Sequence, residues 1–333
     1  MLISTSPTRI RYVLSLFLLF GVRLLLADTS QANTLLQQGR VDEAAASLRD
    51  LLAIQPGDAL AHQLLCRTYY AQDMGDDAIH ECELAVSNAP ASSDNQLWLG
   101  RAYGYKASHA NPIAALSLAV KVRTAFERAV QLDPENIHAM NDLGEFYVEA
   151  PGLIGGGLDK AQALAARMQP NFPSEAHRLL ALIAEKKKEG ALAETEFSNA
   201  VAAGKTPEAY IDLGHFYERH NRPDKMLDAL QSGIGADHRK GPALVDAASI
   251  LTAAHSSPDL AETFLRAYLS SSAKTDDAPA FKVHLQLGDL LAHRGDPAGA
   301  HREYATALAL ASNYAPARKA NAELSEEKRY HGL

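Results

Sequence analysis

A pair of short motifs recurs along most of this 333-residue chain, and its spacing limits the folds that the chain can adopt. The first motif places a leucine before a small residue, with a large residue four positions after the leucine. Its copies are Leu65, Cys66, Tyr69; Leu99, Gly100, Tyr103; Leu143, Gly144, Tyr147; Leu213, Gly214, Tyr217; and Leu287, Gly288, Leu291, with weaker copies at Leu180, Ala181, Ala184 and Ala247, Ala248, Leu251.

The second motif follows each copy of the first, which indicates that the two form one unit. Its copies are Ala78, Cys82, Ala85; Val122, Phe126, Ala129; Ala161, Ala165, Met168; Ala193, Phe197, Ala200; Met226, Leu230, Gly233; Ala261, Leu265, Tyr268; and Ala300, Tyr304, Ala307. An earlier copy at Ala44, Leu48 and Leu51 predicts an eighth unit. The steps from Leu65 to Leu99 and from Leu213 to Ala247 are both 34 residues.

The spacing within each motif is that of an amphipathic helix, whose apolar residues recur three or four positions apart. Two antiparallel helices approach closely only where the facing residues are small, so glycine or alanine recurs in one position of each helix. One helix pair cannot bury such a face alone, whereas stacked pairs can. The pattern therefore predicts an all-α stack of helix pairs.

These motifs resemble the tetratricopeptide repeat, whose period is about 34 residues. The resemblance implies a right-handed superhelical solenoid of about eight helix pairs plus a C-terminal capping helix. The array covers residues 28–312, a capping helix and tail follow at 315–333, and the repeats lie near 28–58, 59–92, 93–136, 137–173, 174–206, 207–240, 241–280 and 281–314.

The first 27 residues have the order of a secretory signal peptide. Arg9 and Arg11 precede the apolar stretch 12–22, and Arg23 interrupts the run before Leu24. A spanning helix needs about 20 apolar residues, which makes an uncleaved membrane anchor the second interpretation and a buried first helix the third. The sequence thus predicts an exported, periplasmic or secreted chain, and RAYGYKA, AVQLD and EFYVEAPGLIGGG are similar to exported bacterial tetratricopeptide proteins.

The charge balance narrows the class of partner. Loss of residues 1–27 removes three arginines and no acidic residue, so the net charge falls from −8 to −11. Nucleic acids and anionic membranes require basic patches, and the balance therefore disfavours both. No stable membrane span is expected after cleavage.

Two insertions distinguish the third and fourth repeats. Ten extra residues fall between Tyr103 and Val122, where Asn111 and Pro112 predict the start of a long helix reaching about Leu132. Five more fall within 149–161. Insertions in repeat arrays often mark a binding face, so an edge contact is predicted at Tyr105, Lys106, His109, Glu149, Gly155, Gly156 and Gly157.

Cys66 and Cys82 occupy facing positions of the second helix pair. A disulfide is feasible if their Cα atoms lie within about 7 Å, and an exported protein would permit it. Two buried thiols are the alternative.

No motif predicts catalysis, a metal site or a cofactor. The stretch from Gly152 to Gly157 has the separation of a Walker loop, but Leu158 stands where lysine is required. His215 and His220 are five residues apart, whereas helical zinc ligands need a spacing of four.

The resemblance implies that the first helices line a concave groove for a peptide or protein partner. The predicted groove residues are Gln63, Arg67, Tyr70, Arg101, Asn141, Glu145, Arg178, His215 and Glu218. A non-enzymatic scaffold for protein–protein interaction is therefore expected. A lipid or small-ligand carrier that uses the hollow of the superhelix is the alternative.

Overall fold

The computed structural model describes residues 29–331, with side chains as far as residue 325. The predicted signal peptide lies outside this range. Within it the chain forms helices and no strand. The helices are α1 (29–37), α2 (Val41–Ile54), α3 (Ala59–Ala71), α4 (Gly75–Asn88), α5 (Ser93–Ser108), α6 (Pro112–Leu132), α7 (Ile137–Glu149), α8 (Leu158–Met168), α9 (Pro173–Lys186), α10 (Gly190–Gly204), α11 (Pro207–Arg219), α12 (Pro223–Ala236), α13 (Ala243–Ala253), α14 (Pro258–Ser270), α15 (Ala280–His293), α16 (Pro297–Leu310) and α17 (Ala315–His331).

Successive helices from α3 and α4 to α15 and α16 pack as seven antiparallel pairs, with α17 packed on the last pair. The first two helices, α1 and α2, share a buried core and form an eighth pair. Each pair also contacts the next pair along the chain. The predicted all-α superhelical solenoid is confirmed.

The small residues of the first motif lie where a neighbouring ring or branched side chain approaches the backbone. A Cβ atom on Gly100 would lie 2.4 Å from the Phe126 ring, and one on Gly288 would lie 2.4 Å from Tyr304. At Gly144 the close neighbour is Leu179 of the following repeat, at 2.8 Å. The recurring glycine therefore sets the distance both within a pair and between pairs.

The insertion in the third repeat lengthens both of its helices instead of forming a loop. α5 runs on to Ser108, and α6 begins at Pro112 with its first turn capped by the Asn111 side chain, which accepts from the Ala114 amide at 3.1 Å. This confirms the predicted long helix and its cap. The second insertion contains a short 3-10 turn, Gly152–Ile154. Arg123 of α6 donates a hydrogen bond to the Ile154 carbonyl and so joins α6 to this turn. The two insertions are therefore adjacent at one edge.

The first and last repeats share a hydrophobic core, so the described solenoid closes on itself. Phe281 of α15 is fully buried in the same cluster as Leu36 and Leu48, and its ring packs edge-on against Tyr314 with centroids 4.9 Å apart. Gly39 approaches so closely that a Cβ atom there would lie 2.7 Å from the Ala280 nitrogen. The sequence pattern predicts contacts between neighbouring repeats only.

Polar contacts reinforce this closure. Lys282 of α15 pairs with Asp73 at 2.7 Å, and the Ser312 amide donates to the Asp42 carboxylate at 2.7 Å. These residues are more than 200 positions apart in sequence.

Cys66 and Cys82 form a disulfide between α3 and α4, with their Cα atoms 5.2 Å apart. Both residues are fully buried, in a core that also contains Trp98 and Phe126. Of the two arrangements that the sequence allows, the structure has the bonded one.

Replacement of Gly100 by alanine should destabilise the protein by about 1–3 kcal/mol, because the new Cβ would overlap the Phe126 ring. Gly235 is the matched control, since it is an exposed helical glycine with no atom within 4 Å of an added Cβ. Gly235→Ala should instead stabilise by about 0.5–1 kcal/mol through helix propensity. Urea denaturation of both variants measures the difference, and equal effects would contradict the close-approach argument.

Candidate functional site

The first helices of successive repeats are joined across the concave surface by ion pairs. Arg101 of α5 pairs with Asp142 of α7 at 2.7 Å. Arg178 of α9 pairs with Glu145 of α7 at 2.6 Å and with Asp212 of α11 at 2.9 Å. Burial would lower the pKa of Arg178, but Asp212 and Glu145 outweigh burial and raise it, so this guanidinium stays charged. We call the concave surface lined by α3, α5, α7, α9, α11 and α13 the groove.

One half of the groove, along α7, α9 and α11, contains a cavity of about 450 Å³. Val148, Leu182 and Phe197 supply its apolar walls. The other lining residues are polar and of both signs: Glu145, Glu149, Arg178, Glu185, Lys186, Asp212, His215 and Arg219. Burial, followed by the charge of Arg219, lowers the pKa of His215, so this imidazole is neutral near pH 7. The cavity thus offers hydrogen-bond donors, acceptors and apolar contact within one space.

The other half of the groove, along α3 and α5, is basic and aromatic. The guanidinium carbons of Arg67 and Arg101 lie 5.0 Å and 4.7 Å from the centre of the Trp98 ring, within cation–π range. Tyr70 packs edge-on against Trp98 with centroids 5.7 Å apart, and Tyr105 packs against Tyr70. Two cations held on one aromatic ring favour a negatively charged ligand.

That half of the groove is covered by residues 271–279, the acidic loop that connects α14 to α15. Arg67 donates two hydrogen bonds to the Asp276 carboxylate, both 2.8 Å long. Asp277 lies 3.9 Å from Arg101. No role for residues 271–279 is predicted from the sequence, although their two adjacent aspartates could have suggested a partner for arginine.

Asp246 of α13 extends the line of groove carboxylates. Burial, and then the nearby Asp212, Glu208 and Asp277, raise the pKa of Asp246 to about 6. No hydrogen bond or salt bridge to its side chain occurs in the described part of the chain. The centre of the groove therefore carries more negative charge than its arginines balance.

The predicted groove residues fall into three sets. Arg67, Arg101, Arg178, Glu145 and His215 lie in the two halves described above. Tyr70 packs between Trp98 and Tyr105, whereas Asn141 and Glu218 are half-buried, with Glu218 lying 3.9 Å from His215.

The prediction for Gln63 is wrong. Its side chain is buried between α3 and α5 and donates to Asn95 at 3.0 Å, while Asn95 itself donates to the Ala85 carbonyl. This network satisfies polar groups inside the stack. Gln63 is therefore unavailable to a partner.

The residues predicted for the edge contact make contacts within the chain. Tyr105 packs on Tyr70 and His109, and Lys106 pairs with Asp76 at 2.7 Å. Glu149 pairs with Lys186 at 2.7 Å on the rim of the 450 Å³ cavity. Glu149 thus belongs to the groove instead of the outer edge.

The three consecutive glycines use their amides to build their own turn. Gly155 donates to the Gly152 carbonyl, Gly156 to Pro151, and Gly157 to Tyr147 at 2.8 Å. Gly155 has a φ of +95°, and an added Cβ on Gly156 would lie 1.8 Å from the Ala150 oxygen. The glycines are required by this backbone, and their amides are not directed at a bound anion.

Exposed apolar side chains at the edge were not predicted from the sequence. Ile113 of α6 is 84% exposed and Leu153 of the 3-10 turn is 89% exposed, with Leu116 and Val120 also exposed on α6. Ile113, Leu116 and Val120 follow helical spacing, so the signal was present in the long helix. The groove residues Trp98, Asp142, Asp212 and Asp246 were also missed, yet each immediately precedes the first residue of a first motif.

Neither a membrane span nor a metal cluster is found in the described part of the chain. None of the helices there is both long and apolar enough to cross a bilayer. No group of three or more His, Cys, Asp or Glu side chains within residues 29–325 could hold a metal ion.

A family model described as a tetratricopeptide repeat matches residues 35–103, which span the second motif of repeat one, all of repeat two and the first motif of repeat three. Residues 35–103 therefore form tetratricopeptide repeats. None of the curated proteins compared with it matches the sequence.

Three solved structures align with this chain at low sequence identity, and the likeness to the first of them shows the fold. Yeast Tom70 is 16% identical, with 87% of this chain and 59% of that chain aligned at a TM-score of 0.53. A thermophilic protein of Thermus thermophilus is 19% identical over 68% of this chain and 99% of its own, with a TM-score of 0.47. A protein of Parabacteroides merdae is 12% identical over 90% and 98%, with a TM-score of 0.45.

The raised pKa of Asp246 predicts a pH-dependent effect of Asp246→Asn. The carboxyl group ionises at a higher pH in the folded chain than in the unfolded chain, so its ionisation destabilises the fold progressively as the pH rises from about 4 through 6. Asp246→Asn should therefore raise the urea midpoint at pH 7 and leave it nearly unchanged at pH 4. Asp228→Asn, on the exposed face of α12, controls for the loss of one charge. An Asp246→Asn effect of equal size at both pH values would contradict the raised pKa of Asp246.

Proposed function

We propose that this chain is a non-enzymatic scaffold that binds an extended segment of a protein partner in the groove, outside the cytoplasm. The observation that carries the proposal is the 450 Å³ cavity along α7, α9 and α11. It combines apolar walls with charges of both signs from three successive first helices. An extended peptide requires such a mixture, because its backbone presents donors and acceptors while its side chains alternate in character.

The charge distribution favours a protein over a nucleic acid. The groove arginines, Arg67, Arg101 and Arg178, are each paired with a carboxylate of the chain. A phosphate backbone would have to displace those carboxylates, and it would also be repelled by Asp246 of α13. Nucleic-acid binding sites instead present unpaired basic side chains.

The alternative of a lipid or small-ligand carrier has less support. Eight of the eleven residues that line the 450 Å³ cavity are polar or charged, whereas ligand pockets are mostly apolar. A second cavity of about 490 Å³ lies between α13 and α15, with Leu251 and Leu290 in its walls. Asp289, His293 and Arg294 also line it, so this cavity is not a mostly apolar pocket either.

Two features support action outside the cytoplasm. The order of charges and apolar residues in 1–27 is that of a signal peptide. The disulfide between Cys66 and Cys82 is of a kind that persists in oxidising compartments.

The proposal is tested by a photo-crosslinking amino acid placed at position 215. His215 lines the cavity with an exposed side chain, and Thr195 on the second helix α10 is the matched exposed control. Position 215 should give a discrete crosslinked adduct. The adduct should be enriched in the envelope or secreted fraction, and the crosslinked chain in it should lack residues 1–27. Position 195 should give none.

A pair of charge reversals tests whether the adduct depends on the cavity. Lys186 lines the cavity beside Glu149, whereas the adjacent Lys187 is exposed outside it. Lys186→Glu should reduce the adduct at position 215 at least fivefold, because it reverses the charge that faces the partner. Lys187→Glu should leave it unchanged. Equal adducts at positions 195 and 215, or equal effects of the two reversals, would overturn the proposed function.

A further inference from the structure

The acidic loop is the longest connection between helices in the described chain, and its tip lies in the groove. Residues 271–279 contain adjacent aspartates, Asp276 and Asp277, in the sequence KTDDAP. They reach helices α3 and α5, about 200 positions away in sequence. A connection between two adjacent helix pairs does not require such a reach.

The contact has the geometry of a bound ligand. Asp276 is only 7% exposed and Arg67 only 18%, and the two side chains meet through parallel hydrogen bonds of 2.8 Å. Bidentate arginine–carboxylate pairs of this kind are strong and geometrically specific. Cation–π contacts with the Trp98 ring hold both Arg67 and Arg101 in position. The basic half of the groove is thus a formed site for two neighbouring carboxylates.

The residues on either side of the two aspartates are held by contacts that do not involve the arginines. The Tyr268 hydroxyl donates to the Ala278 carbonyl at 2.7 Å and accepts from the Thr275 amide at 3.0 Å. Lys274 donates to the Ser271 carbonyl. These contacts lie within the loop and α14, so they do not depend on the arginines. Asp277 remains 67% exposed beside Arg101.

We propose that the acidic loop is an internal occupant of the groove, and that a partner segment with adjacent carboxylates binds Arg67 and Arg101 in its place. The proposal rests on the proposed function and specifies which partners the second half of the groove accepts. A partner must then bind the arginines tightly enough to displace the loop. An intramolecular ligand competes with an effective concentration on the order of millimolar, so only a partner that also binds along α7 to α11 displaces it readily.

The test uses a fluorescently labelled decapeptide with the sequence of residues 270–279, SSSAKTDDAP, and a control peptide, SSSAKTNNAP. Fluorescence anisotropy measures peptide binding to the wild-type chain and to the double variant Asp276→Asn/Asp277→Asn. The matched control protein is Asp224→Asn/Asp228→Asn, which removes two exposed carboxylates from α12.

The double variant D276N/D277N should bind the decapeptide at least tenfold more tightly than the wild type and D224N/D228N do. Addition of Arg67→Ala to it should remove that gain, and the control peptide should not bind. Equal affinities of the wild type and D276N/D277N for SSSAKTDDAP would overturn the proposal, as would a gain that persists in the Arg67→Ala background.

A second measurement uses the wild-type chain alone and therefore does not depend on the folding of a variant. Millimolar SSSAKTDDAP should shift the amide NMR resonances of Asp276 and Asp277, because their carboxylates leave the arginines, whereas SSSAKTNNAP should not. Unchanged resonances with both peptides would overturn the proposal. Loss of the adduct at position 215 would overturn the proposed function without altering these peptide results, so the two failures are distinguishable.

Discussion

The contact between the first and last repeats determines the shape of everything that lies between them. In an open repeat array each unit touches only its neighbours, and stability is a sum of neighbour terms. Here Phe281 is buried with Leu36 and Leu48, which brings α15 onto the first helix pairs. The same closure carries the acidic loop onto α3 and α5. The groove is consequently divided into a covered basic half and an accessible half of mixed charge.

Local features of the fold were predictable because they depend on residues a few positions apart. The glycine in the first motif predicts close approach, and at Gly100 and Gly288 the facing rings are where the pattern requires them. Asn111 and Pro112 predict the start of α6, since a side-chain cap and a fixed φ both act within one turn. The tetratricopeptide-repeat match over residues 35–103 follows from the same local pattern.

The closure could not be predicted, because it depends on a small rotation that each repeat adds to the last. A period of 34 residues shows that pairs stack, but it does not give the angle at which they stack. For the same reason the role of Asp276 was missed, since its partner Arg67 is 209 positions away. Gln63 was misplaced for a different reason. Its helical position was read as facing the groove, whereas Asn95 of the next repeat buries it. The functional picture that results is a scaffold with one half of its groove accessible and the other covered by a segment of the chain itself.

A double-mutant cycle between Arg67→Ala and Asp276→Ala tests the closed arrangement most directly. The free energies of unfolding of the wild type, both single variants and the double variant are measured by chemical denaturation. Because both side chains are largely removed from solvent and hydrogen-bonded to each other, the closed solenoid predicts a coupling energy of about 1–3 kcal/mol. In an open solenoid these residues would lie far apart, and additivity within about 0.5 kcal/mol would contradict the closure.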